Sequence, residues 1–225
     1  IAAGGGSPDL FAENPGTYTA PSATGTNAVA IGKNAIASGT GSMALGASLA
    51  SSSNTFAAAI NSNSTSYGAQ GYSSIAIGSS SKATHSFATA IGWSSEATGY
   101  QSTSLGPGGY ASGQGSTTIG ESGATAQYAT AIGRNALSSI IGKYSYSSGN
   151  FPSASDGSAQ TGTFVLRSDT NSATAEALTT NNSSAGVDDQ IILPNNSAYF
   201  FSGTIIARQD PASGTDVGAW EIKGA

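Results

Sequence analysis

An aliphatic residue followed by glycine recurs through the first half of the chain: Ile31-Gly32, Leu45-Gly46, Ile77-Gly78, Ile91-Gly92, Leu105-Gly106, Ile119-Gly120 and Ile132-Gly133. Ile60-Asn61 fills the gap between the second and third of these, which puts the aliphatics 14, 15, 17, 14, 14, 14 and 13 residues apart. Other positions keep the same beat. A small residue precedes each aliphatic (Ala30, Ala44, Ala59, Ala76, Ala90, Ser104, Thr118, Ala131). Small residues return six positions after it (Ala37, Ser51, Ser66, Ala83, Ala97, Ala111), and Gly39, Ser53, Gly68, His85, Gly99 and Gly113 stand eight after it. A period this short cannot hold a helix pair, but it holds two short strands and two tight turns. One repeat therefore makes one coil. Coils stacked at about 4.8 Å give eight coils a length on the order of 40 Å.

Alternation along the first strand puts Val29 with Ile31, Met43 with Leu45 and Ile75 with Ile77 on one face. That face is expected inside. The opposite face carries Ala30, Ala44, Ala76 and Ala90 and is expected to meet another chain at close range. One aliphatic and a few alanines per coil leave too little apolar surface for a monomer. The expected fold is all-β: a parallel β-roll or solenoid, obligately homotrimeric, followed by a small antiparallel β-domain.

Composition removes most other classes. Gly, Ala, Ser and Thr exceed half the chain and only 8% is charged, so a helical bundle is excluded. With 7 Lys+Arg against 12 Asp+Glu and a net charge of −5, no nucleic-acid partner is expected. No apolar run approaches the ~20 residues that span a bilayer, so no membrane insertion is expected either. There is no cysteine for disulfides or thiolate sites. Ile1-Ala-Ala-Gly-Gly-Gly has neither a basic nor an apolar leader region, and the first residue is not Met, so a fragment or a processed product of a longer chain is expected.

The strings Ala28-Val-Ala-Ile-Gly-Lys-Asn-Ala-Ile-Ala-Ser-Gly39, Ser74-Ile-Ala-Ile-Gly78 and Thr89-Ala-Ile-Gly-Trp-Ser-Ser-Glu-Ala-Thr-Gly99 resemble the head repeats of YadA-type trimeric autotransporter adhesins, over residues 26–133. The resemblance implies left-handed parallel β-rolls assembled as trimers.

From Lys143 the composition shifts, and 13 of the 19 charged residues lie from Arg134 onward. Strands are expected at 161–167, 190–193, 198–208 and 218–223, separated by Pro194-Asn-Asn and Asp210-Pro-Ala-Ser-Gly214. The run from Ile191 to Gln209, together with Ala219-Trp-Glu-Ile-Lys-Gly224, resembles a module of tailed-phage fibre and tail proteins. The expected division is a linker or cap at 1–25, a roll at 26–142 and a C-terminal β-domain at 143–225.

No catalytic, cofactor-binding or metal-ligating residue is expected. His85 is the only histidine and occupies a slot held elsewhere by glycine, so it reads as a turn residue. Glu96 and Glu121 sit at different places in different coils and do not form the convergent pair a glycosidase needs. A calcium ion would draw on Asp169, Asp188 and Asp189, whose spacing fits no calcium loop. Arg167 and Arg208 end apolar strands, where Asp169, Asp210 or Glu221 are the expected partners. Trp93 and Trp220 are of the type that stacks on sugars; Trp220 lies in an alternating strand and reads as core or subunit-interface packing. Thr89, Thr103, Thr117 and Thr130 form a column of the kind that binds ice, but they share the aliphatic face expected inside. Aromatics gather near the turns at Tyr67, Tyr72, Trp93, Tyr100, Tyr110 and Tyr128.

The function that follows is structural and adhesive rather than enzymatic: a homotrimeric fibre segment of a virion, a tailed-phage tail fibre or other appendage. Its partners would be other virion proteins and a host cell-surface glycan or protein. The alternative is a trimeric adhesin of the bacterial cell surface, and a polysaccharide-degrading spike ranks below both.

Overall fold

The computed structural model describes residues 19–58, 66–152, 154–171, 174–193, 198–208 and 216–225. They fall into two compact units, one ending at Gln190 and the other beginning at Ile191. Most of the expected N-terminal linker and Ile60 lie outside the described residues.

Two-residue and longer strands alternate along the first unit. The short ones are β1 (Ser22–Ala23), β3 (Ile36–Ala37), β5 (Leu49–Ala50), β7 (Gly68–Ala69), β9 (Lys82–Ala83), β11 (Glu96–Ala97), β13 (Tyr110–Ala111), β15 (Gly123–Ala124) and β17 (Leu137–Ser138). Between them run β2 (Val29–Ile31), β4 (Met43–Leu45), β6 (Phe56–Ala58), β8 (Ile75–Ile77), β10 (Thr89–Ile91), β12 (Thr103–Leu105), β14 (Thr117–Ile119), β16 (Thr130–Arg134) and β18 (Tyr144–Ser148). Each set stacks in chain order into one parallel sheet, so the unit is a β-solenoid with two walls. Every described residue is strand, turn or irregular; none is helical. β18 carries the longer-stranded sheet past residue 142.

The register follows the repeat. Ile77, Ile91, Leu105, Ile119 and Ile132 stand in one column. In the third coil Phe56 pairs with Met43 and Ile75, and Ala58 with Leu45 and Ile77. Ala58 therefore holds the aliphatic slot that spacing alone gave to Ile60. The inner small residues of β5 and β7 are likewise Ala50 and Ala69, where counting from the aliphatics gave Ser51 and Ser66.

The expected inside and outside are reversed. Ala44, Ala57, Ala76, Ala90, Ser104, Thr118, Ala131 and Ser145 from one wall face Ala37, Ala50, Ala69, Ala83, Ala97, Ala111, Ala124 and Ser138 from the other, all with no solvent exposure. The aliphatics point outward: Ile75, Ile91 and Ile119 keep 36%, 38% and 43% of their surface in solvent. The reason is steric. Stacked sheets that interleave large side chains lie about 10 Å apart. Here each wall joins the next through a turn of only a few residues, and the enclosed space admits methyl and hydroxyl groups alone.

The turns are built as closely as the walls. The glycine after each aliphatic has positive φ, as at Gly92 (136°), and a Cβ on Gly92 would collide with the Gly106 carbonyl of the next coil. No other residue meets both demands. At the opposite edge a second left-handed column runs through Asn27, Gly41, Asn54, Ser73, Phe87, Gln101, Gly115, Tyr128 and Gly142. Its amides bond to the preceding coil, for example Asn54 N to Thr40 O at 2.9 Å and Gly115 N to Tyr100 O at 2.8 Å. Left-handed backbone costs a residue with a Cβ about 1–2 kcal/mol, least for asparagine.

The C-terminal end of the solenoid is covered on both walls. The Gln160 side chain pairs with β17 as a neighbouring peptide would: Leu137 N donates to Oε1 at 2.8 Å, and Nε2 donates to Leu137 O at 3.0 Å. On the other wall β19 (Thr161–Thr163) pairs antiparallel with β18. Between them Lys143 is buried; its Nζ donates to Leu137 O at 3.1 Å and lies 5.8 Å from the Phe164 ring centre. Burial pushes its ammonium below the usual lysine range. An unpaired strand edge would otherwise template aggregation.

The strand expected over 161–167 is shorter, because its partner begins at Tyr144, opposite Thr163. Beyond that point Arg167 makes only an isolated bridge to Thr179. Residues 190–193 form no strand; Ile191-Ile-Leu193 lacks alternation and runs straight into Pro194, which biases Leu193 and cannot donate to a ladder. The second unit is an antiparallel pair, β20 (Phe201–Arg208) and β21 (Val217–Gly224), close to the expected spans.

Two substitutions test the interior. Ala90→Leu forces a branched side chain into a filled wall and is expected to destabilise the chain by about 1–3 kcal/mol or more in denaturant unfolding. Ser116→Ala is expected to stabilise by about 1 kcal/mol. The Ser116 hydroxyl is buried with no hydrogen-bond partner among the described residues, and Ala88 and Ala129 already fill that slot in other coils.

Candidate functional site

The two walls present different outer faces. The shorter-stranded wall shows a mixture, including Lys82, Glu96 and Tyr110, with Lys82 Nζ 3.7 Å from Glu96 Oε2. The longer-stranded wall shows two columns in register. One runs Val29, Met43, Phe56, Ile75, Thr89, Thr103, Thr117, Thr130, Tyr144; the other runs Ile31, Leu45, Ala58, Ile77, Ile91, Leu105, Ile119, Ile132, Tyr146. Neither column contains a charge. Isolated exposed apolar residues are ordinary, but a contiguous apolar sheet face marks an interaction surface. The threonine column does share the aliphatic face, as expected, but that face is the outer one, and the four threonines are half-buried within it.

The charged candidates do not converge. Glu96 is held by Lys82, and Glu121 by Arg134, whose Nε donates to Oε2 at 3.2 Å. Both pairs are exposed enough to contribute little to stability. Among the described residues Arg167 and Arg208 form no ion pair, and Glu221 lies 3.5 Å from Lys223 instead. Asp210 is outside the described residues. Trp93 and Trp220 keep 65% and 54% of their surface exposed, so the packing role expected for Trp220 is not met within one chain. His85 sits in a turn, as expected, where Ser86 N donates to Nδ1 at 3.0 Å.

Asp169 and Asp189 engage separate partners, and Asp188 accepts from the Ile141 amide through its backbone carbonyl. Asn182 donates to Asp169 Oδ2 at 2.9 Å and accepts from the Asp169 amide. Asp189 accepts from the Gly186 amide at 2.7 Å and the Ser183 hydroxyl at 2.8 Å. Among the described residues no three His, Cys, Asp or Glu side chains gather around one point. The Gly186 amide, then the Ser183 hydroxyl, hold the Asp189 carboxyl below the usual carboxylate range. Sequence reading missed this role, because the donors only meet Asp189 once the loop has folded.

A depressed carboxylate stabilises its loop above the unfolded value near 4 and loses that effect as pH falls through the lower folded value. The Gly186 amide resonance should hold its position down to about pH 4 and shift only below it. Asp189→Asn should abolish the shift. A midpoint at or above the ordinary value would contradict the hydrogen-bond account.

No curated protein matches this chain. Residues 23–48, 69–95, 97–120 and 124–145 match the YadA head domain repeat. The matched segments lie along the stacked coils, so the coils of the solenoid are similar to YadA head repeats.

Proposed function

We propose that the chain is a segment of a homotrimeric adhesive fibre, acting as a stiff spacer and attachment element outside the cell. The observation that carries this is the uncharged aliphatic face on the outside of a roll whose own interior is already filled. Among the described residues of the first unit nothing covers that face. A copy of the same chain fits it without placing like charges opposite each other, and three copies around an axis bury all three faces at once. The head-repeat match supports the same assembly. Adhesion then works by multivalency, with three identical surfaces raising avidity. We assign residues 1–25 to a linker or cap, 26–142 to the roll and 143–225 to a C-terminal β-domain.

At the finer level we propose a virion appendage, a tailed-phage fibre bound to other virion proteins and directed at a host surface. The similarity of residues 191–224 to phage fibre modules supports it. A trimeric adhesin of the bacterial surface fits the head repeats equally well. Antibody raised against the roll should decorate purified phage particles on the first reading, and the outside of intact bacteria on the second.

The assembly itself is tested by native mass measurement, which should report three chains. Ile91→Asp should leave the coil folded, with an unchanged β-sheet circular dichroism spectrum, but reduce the mass to one chain. A wild-type monomer, or an Ile91→Asp chain that stays trimeric, would contradict the proposed interface.

A further inference from the structure

One edge of the solenoid carries an aromatic ladder. Tyr72, Phe87 and Tyr100 lie in the turns of three successive coils, with His85 in the same turn as Phe87. Tyr72 and Phe87 are 5.5 Å apart between ring centres and perpendicular at 88°. Phe87 and Tyr100 follow at 5.8 Å and 82°, and His85 and Tyr100 at 5.7 Å and 81°. In a perpendicular pair the ring offering its edge keeps both its faces clear of that partner. Tyr72 and Phe87 keep nearly half their surface in solvent (46% and 45%).

Phe87 holds this place against its backbone preference. Its φ is 61°, in the left-handed column that other coils fill with glycine, asparagine, Ser73 or Gln101 and, in one further coil, with Tyr128. A bulky side chain there is an outlier, and strain of this kind collects at functional sites. Folding does not call for an aromatic in the slot, since neighbouring coils close the same turn without one. What the aromatic adds is a ring between two tyrosines. The platform is also rigid: Phe87 N donates to Tyr72 O at 2.8 Å, Gln101 N to Ser86 O at 3.0 Å, and Ala88 N to His85 O at 3.2 Å. A preformed surface loses little conformational freedom on binding.

The chemistry of the patch selects its partner. The Ser86 amide occupies His85 Nδ1, which leaves the proton on Nε2 as a donor. Two phenolic hydroxyls add donor and acceptor capacity beside the ring faces. Charge is absent from the patch, and the nearby Lys82 and Glu96 are paired with each other. A phosphate polymer or an acidic protein finds no cation to engage. A sugar ring, with C–H faces to lay on aromatic rings and hydroxyls to bond at their margins, suits every feature.

We propose that Tyr72, Phe87, Tyr100 and His85 form a platform on which a neutral glycan chain stacks. The proposal deepens the adhesive reading and rests on it for avidity, with one platform per chain. It also gives His85 and its neighbours a binding role that the turn reading withheld.

Phe87→Asn separates binding from folding, because asparagine is the residue other coils place in that slot. The test is electrophoresis of the assembled protein through gels containing a glucan, a mannan, a galactan or a polymer of N-acetylglucosamine. The wild-type protein should be retarded in at least one gel. Phe87→Asn should keep the same native mass and at least the same melting temperature, yet bind that polymer roughly tenfold more weakly, the scale of one lost stacking contact. Tyr100→Ala, a second and independent variant, should weaken binding similarly. No retardation in any gel, or equal retardation of wild type and both variants, overturns the proposal. A changed native mass for Phe87→Asn also overturns it, by assigning the ladder to contact between copies. Should the wild type prove monomeric, the fibre reading fails, while gel retardation of the single chain still reports on the platform.

Discussion

Backbone hydrogen bonds between successive coils set both dimensions of the solenoid. They fix the rise per coil at strand spacing, and through the turns they hold the two walls close together. Turn amides join too, such as those of Gly41, Asn54, Phe87 and Gly115, which bond to the coil before. With that frame set, side chains have little choice. Only alanine, serine and threonine fit between the walls, and at corners such as Gly78, Gly92 and Gly133 only glycine fits against the next coil. Large apolar groups are displaced to the outer surface of one wall, and the face this creates is what drives assembly in the proposed trimer.

A core of methyl groups is thin. Each buried side chain removes far less apolar area than a leucine would, so the hydrophobic contribution per coil is small. Three devices offset this. The interior is filled without a large side chain, the parallel ladders satisfy the backbone on both walls, and the C-terminal end is closed by Gln160 and β19. The buried serines show the cost of the scheme. The hydroxyls of Ser95, Ser104 and Thr118 bond to one another within the interior, whereas those of Ser42, Ser74, Ser81 and Ser116 find no partner among the described residues.

Much of this was legible in the amino-acid order. The repeat located the strands, the glycines located the corners, and the antiparallel pair near the C-terminus appeared close to its expected limits. What alternation cannot supply is the sign of the two faces. Ala90 and Ile91 differ in size and not in period, and only the width of the coil decides which lies inside. The same steric fact places the threonine column outside. The third coil was misassigned for a different reason: Phe56 and Ala58 lack the aliphatic-glycine signal, and the nearest match, Ile60, stands two residues later. The aromatic ladder was half visible, since Tyr72 and Tyr100 were noticed near turns. Phe87 escaped because its meaning lies in its backbone conformation.

The claim on which the rest depends is that alanines face inward and aliphatics outward. Because the chain has no cysteine, single thiols report on it cleanly. Ala76→Cys and Ala90→Cys should resist labelling by a bulky maleimide in any folded state. Ile77→Cys and Ile91→Cys should react freely in dissociated but folded chains and become protected on assembly. Rapid labelling at 76 and 90 in the folded protein, with 77 and 91 protected in the single chain, would contradict the account.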